Sequence, residues 1–329
     1  MWHLGEIFND LTIVAIPTRT SFRGITVREA AIFRGPAGWS EFAPFIEYNE
    51  VQSEPWLNAA LEGAYKPWPE LKRNKVGVNA TLPKVEISRV NEILERFPGA
   101  RTIKIKVDDF EKDSELVEAA LDFNPDFKIR LDVNGGWDLE RALLNLYNYN
   151  LRFGKVFEYI EQPCLEISDL RKLKAEIPMK IAIDESIRQA LDSDFSDAQN
   201  FADIAIIKWA PSGGISRANN LIARIGLPAV ISSALDTGIG ISHGLALAAT
   251  QNDLTLDCGL ATLSLLESDV VLPALEISDG FITVNRTVPD EKLLSKYAAS
   301  SDRRIWWQQR IEKIWESGFG ERWQREQLN

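Results

Sequence analysis

Histidine and cysteine are the scarcest chemistry-bearing residues of this 329-residue chain, with two of each: His3 and His243, Cys164 and Cys258. Two histidines leave a Ser-His-Asp triad or a histidine-rich zinc site almost nothing to draw on. His243 opens the helix-like run His-Gly-Leu-Ala-Leu-Ala-Ala and is expected to cap or pack there. Two cysteines far apart in sequence make no disulfide framework, so each is read as a structural thiol of the cytosol. Long apolar runs are missing too: no stretch approaches the ~20 residues that span a bilayer. The start, MWHLGEIFND, lacks the basic stretch followed by an apolar run of a signal peptide, so a soluble cytoplasmic protein is expected. Positive charge is in deficit, with 37 Lys and Arg against 48 Asp and Glu for a net charge of −11. That balance argues against nucleic acid or an anionic membrane as partner. Acid–base chemistry must come from lysine, aspartate or glutamate.

Apolar residues are plentiful, at 45% of the chain, enough for a large core. From residue 77 onward, short apolar strands alternate with amphipathic helices. Strands are predicted over 77–82, 102–107, 128–133, 157–162, 180–185, 203–209, 228–234 and 255–262. Between them, apolar residues recur at three and four, the helical period. Eight units with near-continuous apolar strands predict an α/β fold, a TIM-like (β/α) barrel over 77–286, with an open doubly wound sheet as the structural alternative. Residues 1–76 read instead as antiparallel strands with a Gly-Pro-Ala-Gly turn at 35–38. Residues 287–329 look helical, with Trp307, Ile311, Ile314 and Trp315 on one face suited to docking. The two ends together are expected to form an α+β capping domain over one mouth of the barrel.

Charged residues fall at the strand ends, where a barrel places its active site. Lys104 and Lys106 lie on the second strand, Asp132 ends the third, Glu161 the fourth and Asp184 the fifth. Lys208 ends the sixth and Ser233 the seventh, each one strand–helix unit after the last. Three carboxylates in phase make an oxygen-rich site for a hard divalent cation, Mg²⁺, and the lack of histidine argues against zinc. Residues i and i+2 of a strand share a face, so Lys104 and Lys106 project together, with Lys208 across the mouth. The neighbouring Ile103, Ile105 and Val107 imply a buried strand, so these lysines must point into something polar. A cation on a substrate carboxylate eases loss of the α-proton, and nearby positive charge lowers a lysine pKa toward that of a usable base. The run Gly238-Ile-Gly240-Ile-Ser-His-Gly244 is one residue too long for a dinucleotide loop. After the seventh strand it is expected to offer helix N-terminal N–H groups to a substrate carboxylate.

These motifs together resemble the enolase superfamily, muconate-lactonizing branch: Lys104-x-Lys106, RLDVNGGW around Asp132, IEQP after Glu161, AIDES around Asp184 and IIKWAPSGGIS around Lys208. Within that branch, FRGITVREAAIFRGPAGWSEFAPFIEY and ISSALDTGIGISHGLALAA are similar to the compact actinobacterial-type o-succinylbenzoate synthases of menaquinone biosynthesis. The resemblance spans the whole chain and implies Mg²⁺ held by Asp132, Glu161 and Asp184. It makes Lys106 the base and then the acid of a syn-dehydration of 2-succinyl-6-hydroxy-2,4-cyclohexadiene-1-carboxylate. Lys208 would steady the enediolate by a cation–π contact, Lys104 would contact the carboxylate, Arg130 would sit beside the lysines and tune their charge, and Asn134 would support the site. Substrate selection would come from the capping loops: Pro17 to Gly24, with Arg19, Phe22 and Arg23, and the stretch from Phe42 to Tyr48. Ser212, Gly213, Gly214, Ser232 and Ser233 are candidates for holding the succinyl group. The implied partner is a small-molecule carboxylate, with a monomer as the expectation. An N-succinylamino acid racemase of the same branch stays open, since Lys106 and Lys208 on opposite faces could remove and return one proton. A dipeptide epimerase is disfavoured because Cys258-Gly-Leu-Ala-Thr stands where a DxD motif would be. A non-catalytic binding barrel would have lost a ligand or a lysine, and none is missing.

Overall fold

The computed structural model describes residues 4–22, 24–189, 191 and 193–328. The chain begins with an antiparallel meander of strands Asn9–Phe22, Ile25–Gly35 and Gly38–Phe42. Helix Glu50–Tyr65 follows, opened by a reciprocal cap: Asn49 accepts from the Gln52 N–H and Gln52 accepts from the Asn49 N–H. Trp56, Leu57, Ala60 and Leu61 on this helix are buried against the barrel and the meander.

The chain's two ends meet through charge. Glu29 of the meander accepts from Arg303 at 2.6 Å and from the Trp307 Nε1 at 2.7 Å, both on helix Ser301–Ile314. Arg310 on the same helix donates to Phe45 O, Tyr48 O and Ser53 Oγ at 2.6–2.9 Å. Trp307, Ile311 and Ile314 turn inward and are fully buried, while Trp315 packs at the margin.

The central layer is a curled parallel sheet whose seven strands follow sequence order: Ala80–Leu82, Thr102–Lys106, Lys128–Asp132, Phe157–Glu161, Ile181–Ile183, Ile204–Lys208 and Ala229–Ser232. The eighth strand expected over 255–262 is not one. Only Cys258 and Gly259 pair, Cys258 with Val78 on one edge and Gly259 with Ser232 on the other. These two bridges close the ring, and the chain then turns into the short helix Thr262–Leu265. The strand predicted over 77–82 is likewise divided. Lys75–Gly77 pairs antiparallel with Phe281–Thr283 outside the ring, and Ala80–Leu82 enters it. No helix among the described residues is long and apolar enough to cross a membrane.

Strand alternation sets what the barrel interior contains. Ile103 and Ile105 face the helices, and Lys104 and Lys106 face the axis. Tyr159, Ala182, Ile204, Ile206 and Val230 pack into an apolar floor. Two residues further along their strands stand Glu161, Lys208 and Ser232, so the charged layer sits directly on that floor at the strands' C-terminal ends.

Candidate active site

Parallel register aligns the charged layer. Lys106 pairs with Asp132 across one strand boundary, and Asp132 pairs with Glu161 across the next. Asp132, Glu161 and Asp184 are each 1% exposed. Each is met by a cation. Lys106 Nζ lies 2.5 Å from Asp132 Oδ2, and Lys104 Nζ lies 3.0 Å from both Asp132 and Glu161. Lys208 Nζ lies 2.6 Å from Asp184 Oδ2, with Arg188 Nε on the other oxygen at 3.3 Å.

Burial and crowding move the charges unequally. Glu161 is lifted to about 7 by burial and by the neighbouring Asp132 and Asp184, against the pull of Lys104 and Lys208. Burial works against ionised Asp132 and Asp184 too. Lys104 and Lys106 nonetheless hold Asp132 well below the carboxylate range, and Lys208 and Arg188 hold Asp184 at about 2. The two lysines of one strand part company. Burial opposes the Lys104 charge, but Asp132 and Glu161 overcome it and hold the ammonium well above its ordinary value. Lys106 is pushed down by burial, with Lys104 adding to the effect against the attraction of Asp132. A lysine with a lowered pKa beside one that stays charged is the pairing a proton-transfer site needs.

The donor set fits a hard cation, although the acidic oxygens are turned to lysines and, among the described residues, no three acidic side chains form an assembled metal cluster. Three buried carboxylates stand at adjacent strand ends, and the crowding that disfavours the charge of Glu161 is what a divalent ion would relieve.

Neighbouring backbone is fixed to serve these groups. Asn134 takes a left-handed φ of 53°, which asparagine tolerates, and its Oδ1 accepts from Lys106 Nζ while its Nδ2 donates to Glu185 at 3.2 Å. Gln162 accepts from the Asp184 and Ser186 N–H groups at 2.9 and 3.1 Å and so fixes the turn that carries Asp184. Around the charged layer, Thr81, Ser232, Ser233, Thr262 and Gly259 form the barrel rim, and Phe45 closes the cavity from the capping side. That cavity measures about 30 Å³, room for a water molecule or two, so a six-membered ring enters only when the lining moves apart.

Several residues singled out in the sequence lie elsewhere. Arg130 shares a face with Asp132 but sits one layer down, beside Tyr159 in the floor. Its guanidinium turns away from the cavity to Glu158 at 2.6 Å, Asn79 at 2.9 Å and the Asp257 carbonyl at 2.7 Å. Ser212, Gly213 and Gly214 turn to the capping helix: Asn58 donates to Gly213 O at 2.6 Å, and a Cβ on Gly214 would strike Glu62. Arg19 donates to the carbonyls of Leu266 and Glu267 and braces a loop. Arg23 and the Phe22 side chain lie outside the described residues, as does His3. The helix that opens at Gly238 has no N–H free for a substrate carboxylate at its start. Asp269 takes the Gly238 N–H at 2.8 Å and Glu41 takes that of Thr237 at 3.2 Å. His243 packs on Trp209 with ring centroids 4.8 Å apart and is pushed down to about 3 by burial, so it stays neutral.

Sequence reasoning passed over Gln162, Glu185 and Arg188. The first lies in IEQP and the second in AIDES, and Arg188 follows Asp184 at the helical spacing i+4.

Two domain models match this chain: an Enolase N-terminal domain-like model over residues 13–64 and an Enolase C-terminal domain-like model over 89–290. The chain is 43% identical over 313 residues to the o-succinylbenzoate synthase of Mycobacterium tuberculosis, covering 94% of each chain. It is 43% identical over 312 residues to that of Mycolicibacterium smegmatis, covering 94% of this chain and 96% of the relative. Among solved structures, muconate lactonizing enzyme from Pseudomonas fluorescens superposes with a TM-score of 0.72 at 18% identity, covering 89% of this chain and 99% of the other. The L-Ala-D/L-Glu epimerase of Bacillus subtilis gives 0.69 at 21% identity, covering 85% and 96%. At such identities the structural matches speak for the fold alone.

Proposed function

This chain belongs to the enolase superfamily, and on that premise we propose that it makes o-succinylbenzoate by eliminating water from 2-succinyl-6-hydroxy-2,4-cyclohexadiene-1-carboxylate, a lyase step of menaquinone biosynthesis. The observation that carries the mechanism is the placement of Lys104 and Lys106 on one face of their strand, with Lys208 beside Asp184, around three buried carboxylates at the strand ends; the lowered pKa of Lys106 beside a charged Lys104 agrees with it.

Lys106 takes the ring proton next to the carboxylate, so the C–H pair moves into the bond to the carboxylate carbon and the carboxylate becomes an enediolate, whose pair falls back into the ring when the hydroxyl leaves. The same ammonium then returns its proton to the hydroxyl on that face. The C–O bond breaks, water leaves, and the ring becomes aromatic. Lys104, held near Asp132 and Glu161, keeps fixed positive charge beside the developing negative charge. Lys208 stands over the opposite face, oriented by Asp184, and steadies the electron-rich ring. Asp132, Glu161 and Asp184 would hold Mg²⁺, which when bound neutralises the carboxylate on which charge accumulates. Ser232 and Ser233 on the rim and Phe45 on the cap line the cavity and would meet the succinyl arm.

A spectrophotometric dehydration assay tests this, run with Mg²⁺ and with EDTA on wild type and on Lys106→Ala. Fast turnover that needs the metal and disappears in the variant is the expected result. A folded, Mg²⁺-loaded protein that leaves the diene untouched but racemises N-succinylamino acids would overturn it.

A further inference from the structure

Arg188 lies in the short helix Glu185–Arg188 that follows the strand carrying Asp184, and its guanidinium makes three contacts in three directions. Nε lies 3.3 Å from Asp184 Oδ1, Nη2 lies 2.8 Å from Glu185 Oε1, and Nη1 donates to the Tyr48 hydroxyl at 2.7 Å. Glu185 Oε1 is shared with Asn134 Nδ2, and Asn134 Oδ1 in turn accepts from Lys106 Nζ. On the capping side, the Tyr48 ring stands edge-on to Phe45 at 5.5 Å, and Phe45 lines the cavity.

We propose that Arg188 is a positioning residue that couples the seating of capping segment 43–48 to the geometry of Lys106 and Asp184. The proposal rests on the reaction assigned above only for its kinetic arm. The cavity holds about 30 Å³, so substrate entry must displace the lining, and Phe45 is the lining group that the cap contributes. When the segment reseats, Tyr48 returns to Arg188. The same guanidinium then fixes one oxygen of Asp184, leaving the other to Lys208, and fixes Glu185, which orients Asn134 against Lys106. Arginine suits this place because its rigid fork serves three acceptors at once, which a lysine point charge cannot. A helix-stapling pair with Asp184 and Glu185 would need no tyrosine from another domain.

The test uses the full chain with Arg188→Met, Arg188→Lys, Tyr48→Phe and the Arg188→Met/Tyr48→Phe double variant. Steady-state dehydration kinetics are measured beside backbone hydrogen exchange over 43–48 and 184–188. Arg188→Met is expected to lower kcat about 10–100-fold, as loss of a supporting contact behind a metal ligand does, with KM little changed. Arg188→Lys restores part of this, and Tyr48→Phe loses less than Arg188→Met. The double variant is no slower than Arg188→Met, because both substitutions cut one link. Exchange over 43–48 speeds up in Arg188→Met although that segment is untouched. Unchanged kcat in folded Arg188→Met, losses that multiply in the double variant, or faster exchange confined to 184–188 would each overturn the proposal. If wild type fails to dehydrate the diene, the reaction is wrong, and exchange at 43–48 alone still decides the coupling. Should Arg188→Met not fold, Arg188→Lys and Tyr48→Phe carry the same comparisons.

Discussion

Lys104 grips both oxygens of Glu161, at 3.0 and 3.1 Å, while Lys106, two residues on and on the same face, holds Asp132 Oδ2 at 2.5 Å and the side-chain oxygen of Asn134. Around Lys104 the carboxylates overcome the burial that opposes its charge, whereas around Lys106 burial, with the neighbouring Lys104 adding to it, prevails over Asp132 and leaves a proton that is easier to remove. Their replacement by methionine should therefore fail differently. Lys106→Met is expected to lower kcat by about 10³-fold or more, the scale of a lost general base. Lys104→Met is expected to cost roughly 10–100-fold, spread over substrate binding and metal affinity. Equal losses in kcat for both variants, measured on folded protein, would mean that the two lysines share one role.

The crowding of Glu161 between Asp132 and Asp184 predicts a thermal signature of metal binding that needs no substrate. Mg²⁺ at about 100 times its dissociation constant should add roughly 3 kcal/mol to the folded state and raise Tm by several degrees. EDTA should reverse the rise, and Glu161→Gln should remove most of it. A melting point indifferent to Mg²⁺ in wild type, followed by calorimetry or intrinsic tryptophan fluorescence, would count against a cation held by these three carboxylates.

How far the site was legible depends on how locally each residue is determined. The Lys104–Lys106 pair follows from strand alternation alone, and the spacing from Asp132 through Glu161 and Asp184 to Lys208 follows from the strand–helix period. Arg130 obeys the same alternation, yet one layer of depth and partners elsewhere in the ring, Asn79 just before strand Ala80–Leu82 and Glu158 on Phe157–Glu161, turn it away from the cavity. Ser212 to Gly214 and Arg19 are decided by contacts with segments more than a hundred residues away, which periodicity does not encode. The barrel seam at Cys258 and Gly259 has no strand of its own, so an apolar run there was easily read as one. Arg188 had a local signal, four residues after Asp184, but its third partner, Tyr48, comes from the other domain.

Glu41 offers a pH prediction away from the catalytic groups. It is buried beside Asp236 and Arg28, at the junction of the meander and the loop after strand Ala229–Ser232. Burial, then the Asp236 charge, raise it to about 8, against Thr237, Arg28 and the Gly240 N–H. An acid with a folded pKa above its unfolded value binds its proton more tightly in the native state. Its contribution is therefore fully present below about pH 4.5, declines as pH rises and is gone above about 8. The full span is on the order of 5 kcal/mol. Between pH 6 and 9, wild type should lose stability to urea that Glu41→Gln retains, since glutamine keeps the acceptor for Thr237 without a charge to bury. Parallel pH curves for the two proteins would show that Glu41 stays ionised throughout.

The seam of the barrel gives a stability prediction that depends on a single close approach. Gly259 donates to Ile231 O at 2.8 Å, and a Cβ placed on it would stand 2.5 Å from Ser232 Oγ and 3.2 Å from Ser232 Cβ. Glycine is required there for space, because its backbone is one that any residue adopts. Gly259→Ala should then cost about 1–3 kcal/mol, the range for overfilling a packed interior. Ser232→Gly alone should cost roughly 1 kcal/mol through backbone entropy. Because the clash lies between these two side chains, the double variant should be more stable than the sum of the single losses predicts, with a coupling of about 1 kcal/mol in urea unfolding. Additive losses would place the strain of Gly259→Ala on the backbone instead, and the seam would then be set by chain geometry and not by the width left between strands.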